Sequence, residues 1–177
     1  MKIIKTPISD LIVIEPKVFT DERGSFFESF NQEKFFSKVA NVKFVQDNHS
    51  ISKLGVLRGI HLQKKPFEQG KLVRVIKGEI YDIAVDLRKG SATYLQYFGI
   101  NLSSENKLQL WIPEGFGHGF LTLSKQAEVA YKATNYYSKK SEVTIKYNDI
   151  DIGIEWPGNK KFIISNKDME GISSSNL

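Results

Sequence analysis

Apolar and polar residues alternate with period two along much of this chain. Lys71-Leu72-Val73-Arg74-Val75-Ile76 and Glu79-Ile80-Tyr81-Asp82-Ile83-Ala84-Val85-Asp86 are two such runs, separated by Lys77-Gly78. Successive side chains of a strand point to opposite faces, so alternation predicts strands. Glycine accepts positive φ, and Lys77-Gly78 therefore predicts a tight hairpin loop between the two. In the second run Asp82, Ala84 and Asp86 alternate with Tyr81, Ile83 and Val85, which predicts two unlike faces. Further short strands are expected over 43–49, 56–63, 94–102, 107–112, 118–123 and 127–136. One early helix is expected over 32–39, with Asn31 as its cap and Phe35, Phe36 and Val39 on one side. Many short strands with few helices predict a mainly β protein, a β-sandwich or barrel. A jelly roll has this profile, with space for a ligand between its sheets.

Length and composition narrow the picture. The 177 residues suit one domain, 1–177, and no internal repeat or Pro/Gly-rich linker divides them. The small polar residues at about 170–177 are expected to fray. No cysteine is present, which excludes disulfides, thiolate metal sites and cysteine nucleophiles. The first residues hold no apolar run long enough for a signal peptide or a membrane span, so no membrane partner and a cytoplasmic location are expected. The formal charge of +5 comes from Lys and Arg spread along the chain. No basic block or aromatic-basic repeat suggests nucleic acid, and a small phosphorylated ligand fits the distribution better.

The candidate chemistry is sparse. The three histidines are His49, His61 and His118, and His61 is followed by Leu62-Gln63, so a close His-x-His metal pair is missing. In GVLRGIHLQ, residues 55–63, Arg58 and His61 are three apart and on a regular strand would face opposite sides. A kink near Gly59 would bring both to one cavity. Glycines at 115, 117 and 119 around His118 allow close approach to a ligand. EVAYKATNYY, residues 128–137, alternates and presents Tyr131 on one face. Gln46 and Asn48, two apart in FVQDNHS, share a strand face. Taken singly, each of these also fits an ordinary strand or turn.

Taken together, an ordered set of segments resembles one family. FTDERGSFFESF, FVQDNHS, GVLRGIHLQ, QGKLVRV, AVDLRKGS, LSSENKLQLWIPEGFGHGF, AEVAYKATNYY, NDIDIGIEWP and SNKD, between about residues 3 and 168, resemble the dTDP-4-dehydrorhamnose 3,5-epimerase family. The resemblance implies a cupin-like jelly roll, a homodimer, a dTDP-sugar substrate, and neither metal nor cofactor. The implied reaction inverts C3 and C5 of dTDP-4-dehydro-6-deoxy-D-glucose, on the route to dTDP-L-rhamnose. By motif, His61 resembles the general base, Asp168 the carboxylate that orients it, Tyr131 the general acid, and Lys71 the residue beside the enolate oxygen. Arg23, Glu28, Gln46, Asp47, Asn48, Arg58, His118, Glu142 and Lys167 match the family's nucleotide and sugar contacts, and Phe26 or a nearby aromatic would stack on the thymine. Glu68 and Gly117 stand where Ala is familiar in the family, and neither touches the implied chemistry.

The implied roles agree with the chemistry. A ketone at C4 acidifies the hydrogens on both neighbouring carbons, and neutral histidine is a suitable base near pH 7. A carboxylate behind it fixes the tautomer and stabilises the imidazolium. The enolate oxygen requires a preorganised cation or donor, which Lys71 supplies. Inversion further requires a proton from the opposite face, and tyrosine, with an unperturbed pKa of about 10, starts protonated. The residue set does not distinguish double inversion from a mono-epimerase or ketoisomerase on a related sugar. A non-catalytic sugar-binding protein of the same fold, or a metal-dependent one, is a further alternative.

Overall fold

A computed structural model describes residues 1–158 and 161–177. Among the described residues there are thirteen strands: β1 Lys2–Lys5, β2 Ile12–Glu15, β3 Val18–Asp21, β4 Gly24–Phe27, β5 Gln46–Lys53, β6 Leu57–Gln63, β7 Lys71–Lys77, β8 Glu79–Asp86, β9 Tyr97–Ser103, β10 Gln109–Ile112, β11 Phe116–Thr122, β12 Gln126–Ala133 and β13 Glu142–Thr144, of which β1, β2, β3, β4 and β13 lie outside the expected ranges. Two short helices, α1 Gln32–Lys38 and α2 Asn166–Met169, complete the main elements. Sheet order is β1-β2-β10-β7-β12-β5 in one antiparallel sheet and β13-β6-β11-β8-β9 in the other, with β3-β4 as a separate ribbon. This is the sandwich that the periodicity predicts. No described helix is long and apolar enough to cross a membrane.

The core lies in three apolar layers. Between the sheets pack Val73, Val75, Leu110 and Val129 of the six-stranded sheet and Ile80, Ala84, Leu102 and Phe120 of the five-stranded one. Outside the five-stranded sheet, Ile83, Val85 and Ile60 are covered by the C-terminal segment through Ile145, Ile152 and Trp156. Outside the six-stranded sheet, α1 lays Phe35 against Trp111 and Phe44, each with ring centroids 5.2 Å apart. The Asn31 side chain accepts from Lys34 N at 3.0 Å and caps α1 as expected. Phe36 departs from expectation and points to solvent, because one residue turns a helix by about 100°.

Two other expectations change. Lys77-Gly78 does not close a hairpin: β7 pairs with β10 and β12, whereas β8 pairs with β11 and β9. The step is a corner at which the chain crosses between sheets. Gly78 has φ +78°, and a Cβ there would lie 2.2 Å from Gln126 O, so the corner admits only glycine. The final residues do not hang clear of the body. Ser174 is 2% exposed. It donates through N and Oγ to Asp149, at 2.8 and 2.7 Å.

The kink foreseen near Gly59 is present, and it sets the site. Gly59 has φ +116°, and an added Cβ would meet Gly119 Cα at 2.6 Å and His118 O at 2.7 Å. The β6–β11 register shifts between His118 and Phe120, so Arg58 and His61 reach the same cavity. Gly59→Ala forces both a disfavoured φ and a backbone collision. It is expected to cost about 2–5 kcal/mol of unfolding free energy, visible as a lowered urea midpoint.

Candidate active site

A cavity of about 240 Å³ opens between the sheets, and β5, β6, β7, β11, β12 and β13 each contribute side chains to its wall. His61, Lys71, His118, Tyr131, Arg58 and Glu142 all line it. Roomier hollows of about 270, 410, 420 and 570 Å³ exist elsewhere, but none is lined by a histidine hydrogen-bonded to a buried aspartate. Chemistry, not size, singles out this site.

His61 projects from the middle of β6 and its Nε2 meets Asp168 Oδ1 at 2.7 Å. Asp168 sits on α2, whose N-cap Ser165 accepts from Asp168 N at 3.2 Å. Its other oxygen accepts the Gly59 N–H at 3.2 Å. Burial opposes ionisation of this carboxyl. The His61 hydrogen bond and charge and the Gly59 N–H outweigh it and hold the group below its usual range. With Nε2 occupied, Nδ1 is the nitrogen of His61 left for proton transfer.

Lys71 opens β7 and is buried, and its Nζ lies 3.4 Å from His61 O. Burial lowers its pKa to about 8, against the opposing charges of Asp82 and Glu142. Tyr131, on β12, packs against the inter-sheet core, and burial raises its pKa, so the phenol is held protonated. Glu142, on β13, receives Tyr137 Oη at 2.9 Å and Lys167 Nζ at 2.5 Å. Burial disfavours its charge, but these two donors hold its carboxyl below the usual range.

The remaining sequence candidates divide by position. Arg58 reaches the cavity and is steadied by its Nε donating to Ser52 Oγ at 3.0 Å. Gln46 accepts the Tyr137 N–H at 3.0 Å and donates to Asn48 Oδ1 at 3.0 Å; neither lines the cavity, and Asn48 lines the hollow of about 420 Å³ instead. Asp47 points to the other face of β5 and pairs with Lys132 at 3.0 Å. Arg23, Phe26 and Glu28 are not brought to the cavity within one chain. They belong to the β3–β4 arm and its exit, where Phe26 is 71% exposed, Arg23 pairs with Asp21, and Glu28 pairs with Lys34.

Sequence reasoning passed over two contributors. Asp82 is 0% exposed and holds His118 Nε2 at 2.9 and 3.2 Å. A signal existed: Asp82 and Asp86 share the face of β8 that carries Ile80 and Ala84, which packs between the sheets. Tyr137 lines the cavity and is bonded to Glu142, and the sequence gives only an adjacent tyrosine pair as a cue. Among the described residues, no three His, Asp or Glu side chains gather as a metal-ligand set.

Comparison with known proteins gives the context. The profile of the dTDP-4-dehydrorhamnose 3,5-epimerase family matches residues 5–175. A dTDP-4-dehydrorhamnose 3,5-epimerase of Salmonella typhimurium is 59% identical over 169 residues, 95% of this chain and 92% of that protein. The crystal structure of a dTDP-6-deoxy-D-glucose-3,5-epimerase from Legionella pneumophila, in complex with dTDP-4-keto-L-rhamnose, superposes with TM-score 0.95 at 47% identity, covering 98% of this chain and 93% of that one. A 3'-monoepimerase of Streptomyces bikiniensis, in complex with dTDP-quinovose, superposes with TM-score 0.90 at 28% identity, covering 96% and 86%.

The burial of Lys71 has a direct readout. Its side-chain carbon resonances should titrate with a midpoint of about 8. The unperturbed value for lysine is about 10.4. Because the pKa is depressed, the ammonium is lost as pH rises through that midpoint, and a titration near 10 contradicts the described environment.

Proposed function

The chain belongs to the dTDP-4-dehydrorhamnose 3,5-epimerase family, and we propose that it inverts C3 and C5 of dTDP-4-dehydro-6-deoxy-D-glucose to give dTDP-4-dehydro-L-rhamnose. The observation that carries the residue roles is one cavity lined by an Asp168-backed His61, the buried cation Lys71 and the protonated Tyr131. His61 Nδ1 removes the hydrogen from a carbon beside the C4 ketone. The electron pair moves to the C4 oxygen, where the Lys71 ammonium stabilises the enolate. Loss of one such preorganised donor typically costs about 3–4 kcal/mol of barrier. Tyr131 protonates the same carbon from the opposite face, which inverts it, and solvent resets both groups. Asp168 stabilises the imidazolium formed on His61.

The nucleotide requires cations and an aromatic surface. Arg58 and Lys167 offer charge to the diphosphate. Tyr137, half exposed at the cavity and fixed by Glu142, is better placed in this chain to stack on the base than Phe26. Arg23, Phe26 and Glu28 point instead to a second copy. The exposed β3–β4 arm carries them away from its own cavity, and a homodimer in which the arm reaches the partner's site reconciles that position with their matched binding roles.

The monoepimerase with the same fold makes the number of inversions the point to test. Incubation with the 4-keto substrate in D2O should place deuterium at both C3 and C5, read by NMR. Label at C3 alone contradicts double inversion. His61→Ala should lose exchange at both carbons. Tyr131→Phe should retain more exchange than epimerisation, and equal loss of both would remove Tyr131 as the acid.

The arm has its own test. His61→Ala and Arg23→Ala chains are each expected to be impaired. Co-refolded in equal amounts, half the dimers are mixed and one site in each is intact, so roughly a quarter of the wild-type rate should return. No recovery places Arg23 within its own subunit's site.

A further inference from the structure

We propose that Asp82 is a positioning residue that fixes His118 as a hydrogen-bond acceptor, and that His118 thereby recognises a hydroxyl of the hexose rather than its ketone oxygen. The inference rests on the 4-keto nucleotide-sugar reading above and assigns the polarity of one wall of that site.

The geometry is a duplicated pair. His61 and His118 are directly opposite one another on β6 and β11. Each commits Nε2 to a buried carboxylate, His61 to Asp168 at 2.7 Å and His118 to Asp82 at 2.9 Å. A carboxylate only accepts, so the proton of a neutral His118 resides on Nε2 and its Nδ1 carries a lone pair. Nδ1 has no hydrogen-bond partner among the described residues, and His118 lines the cavity. The ring is held neutral: burial lowers its pKa, Asp82 opposes this, and the charges of Lys71 and His61 reinforce it. A neutral ring with its proton turned inward cannot donate to a ketone or enolate oxygen. It accepts from an O–H.

The rest of the cavity offers few other acceptors. Lys71 and Arg58 only donate, Tyr131 is held protonated, and Ser50 Oγ, buried on β5 without a partner among the described residues, is a hydroxyl that both donates and accepts. Glu142 is engaged by Lys167 and Tyr137, and His61 is the base. A sugar whose hydroxyls flank the reacting carbons requires an acceptor, and His118 Nδ1 stands beside the base to supply it. A site built this way discriminates against analogues lacking the hydroxyl, because the buried nitrogen is then left unpaired.

The experiment has two arms. In protein labelled with 15N-histidine, long-range 1H–15N spectra should show His118 as the Nε2–H tautomer, with unprotonated Nδ1, near pH 7. An Nδ1–H tautomer or an imidazolium overturns the proposal without any variant. In the second arm, deuterium exchange at C5 is compared among the parent 4-keto substrate and its 2-deoxy and 3-deoxy analogues. One analogue should exchange about tenfold more slowly, as expected for one lost hydrogen bond. That penalty should vanish in Asp82→Leu/His118→Phe, which removes both partners so that neither is stranded in the core. Equal exchange of all three sugars by the wild-type protein overturns the assignment of His118 alone. Absence of exchange with the parent sugar overturns the functional reading itself.

Discussion

The site depends on the contact between Gly59 and Gly119. Two strands approach there until backbone meets backbone, and a side chain at either position would push them apart. Three consequences follow from one joint. Arg58 and His61 turn to the same cavity, the Gly59 N–H is free to hold Asp168, and His61 comes opposite His118. The glycine conformation is therefore a condition for the arrangement of the proposed catalytic groups, and any stability lost to glycine's chain entropy is offset by the apolar layers on both sides of the sheet.

The interior of the sandwich is unusual for a core in carrying ionisable groups along one side. Lys71, Asp82, His118 and Asp168 are all buried, and each is steadied by a partner in the same cluster. Burial favours the neutral form of each ionisable group, and paired charges oppose that tendency. The result suits proton transfer: a carboxylate that stays ionised behind His61, an ammonium poised near neutrality, and a phenol that keeps its proton. The fold tolerates such a cluster because apolar layers elsewhere stabilise it.

A second constraint concerns the surface. The β3–β4 ribbon belongs to neither main sheet and exposes Phe19 and Phe26. Exposed aromatic residues on a two-stranded arm are poorly stabilised alone. Burial against a second copy would give the arm a reason to persist and would bring its Arg23 to a substrate. The residues matched by motif thus divide between those held inside one chain and those carried outward.

Much of this protein was legible in the sequence because its signals are local. Alternation marked β8 to the residue, and Asn31 marked the start of α1. Ordered motifs identified the family and the candidates His61, Asp168, Tyr131 and Lys71. What the sequence could not determine was non-local. Lys77-Gly78 reads as a hairpin because turn chemistry is the same whether a chain folds back or crosses to another sheet. Asp47 matches the family's contacts by motif, yet strand parity sends it to the face opposite Gln46 and Asn48, to Lys132. Asp82 reads as one polar position on an alternating strand, and only the packing of the second sheet over that face makes it a buried partner of His118. His61 meets Asp168 across more than a hundred residues of chain. Periodicity and turn chemistry are properties of neighbouring residues, whereas burial and hydrogen-bond partnership exist only once distant strands have closed around a shared cavity.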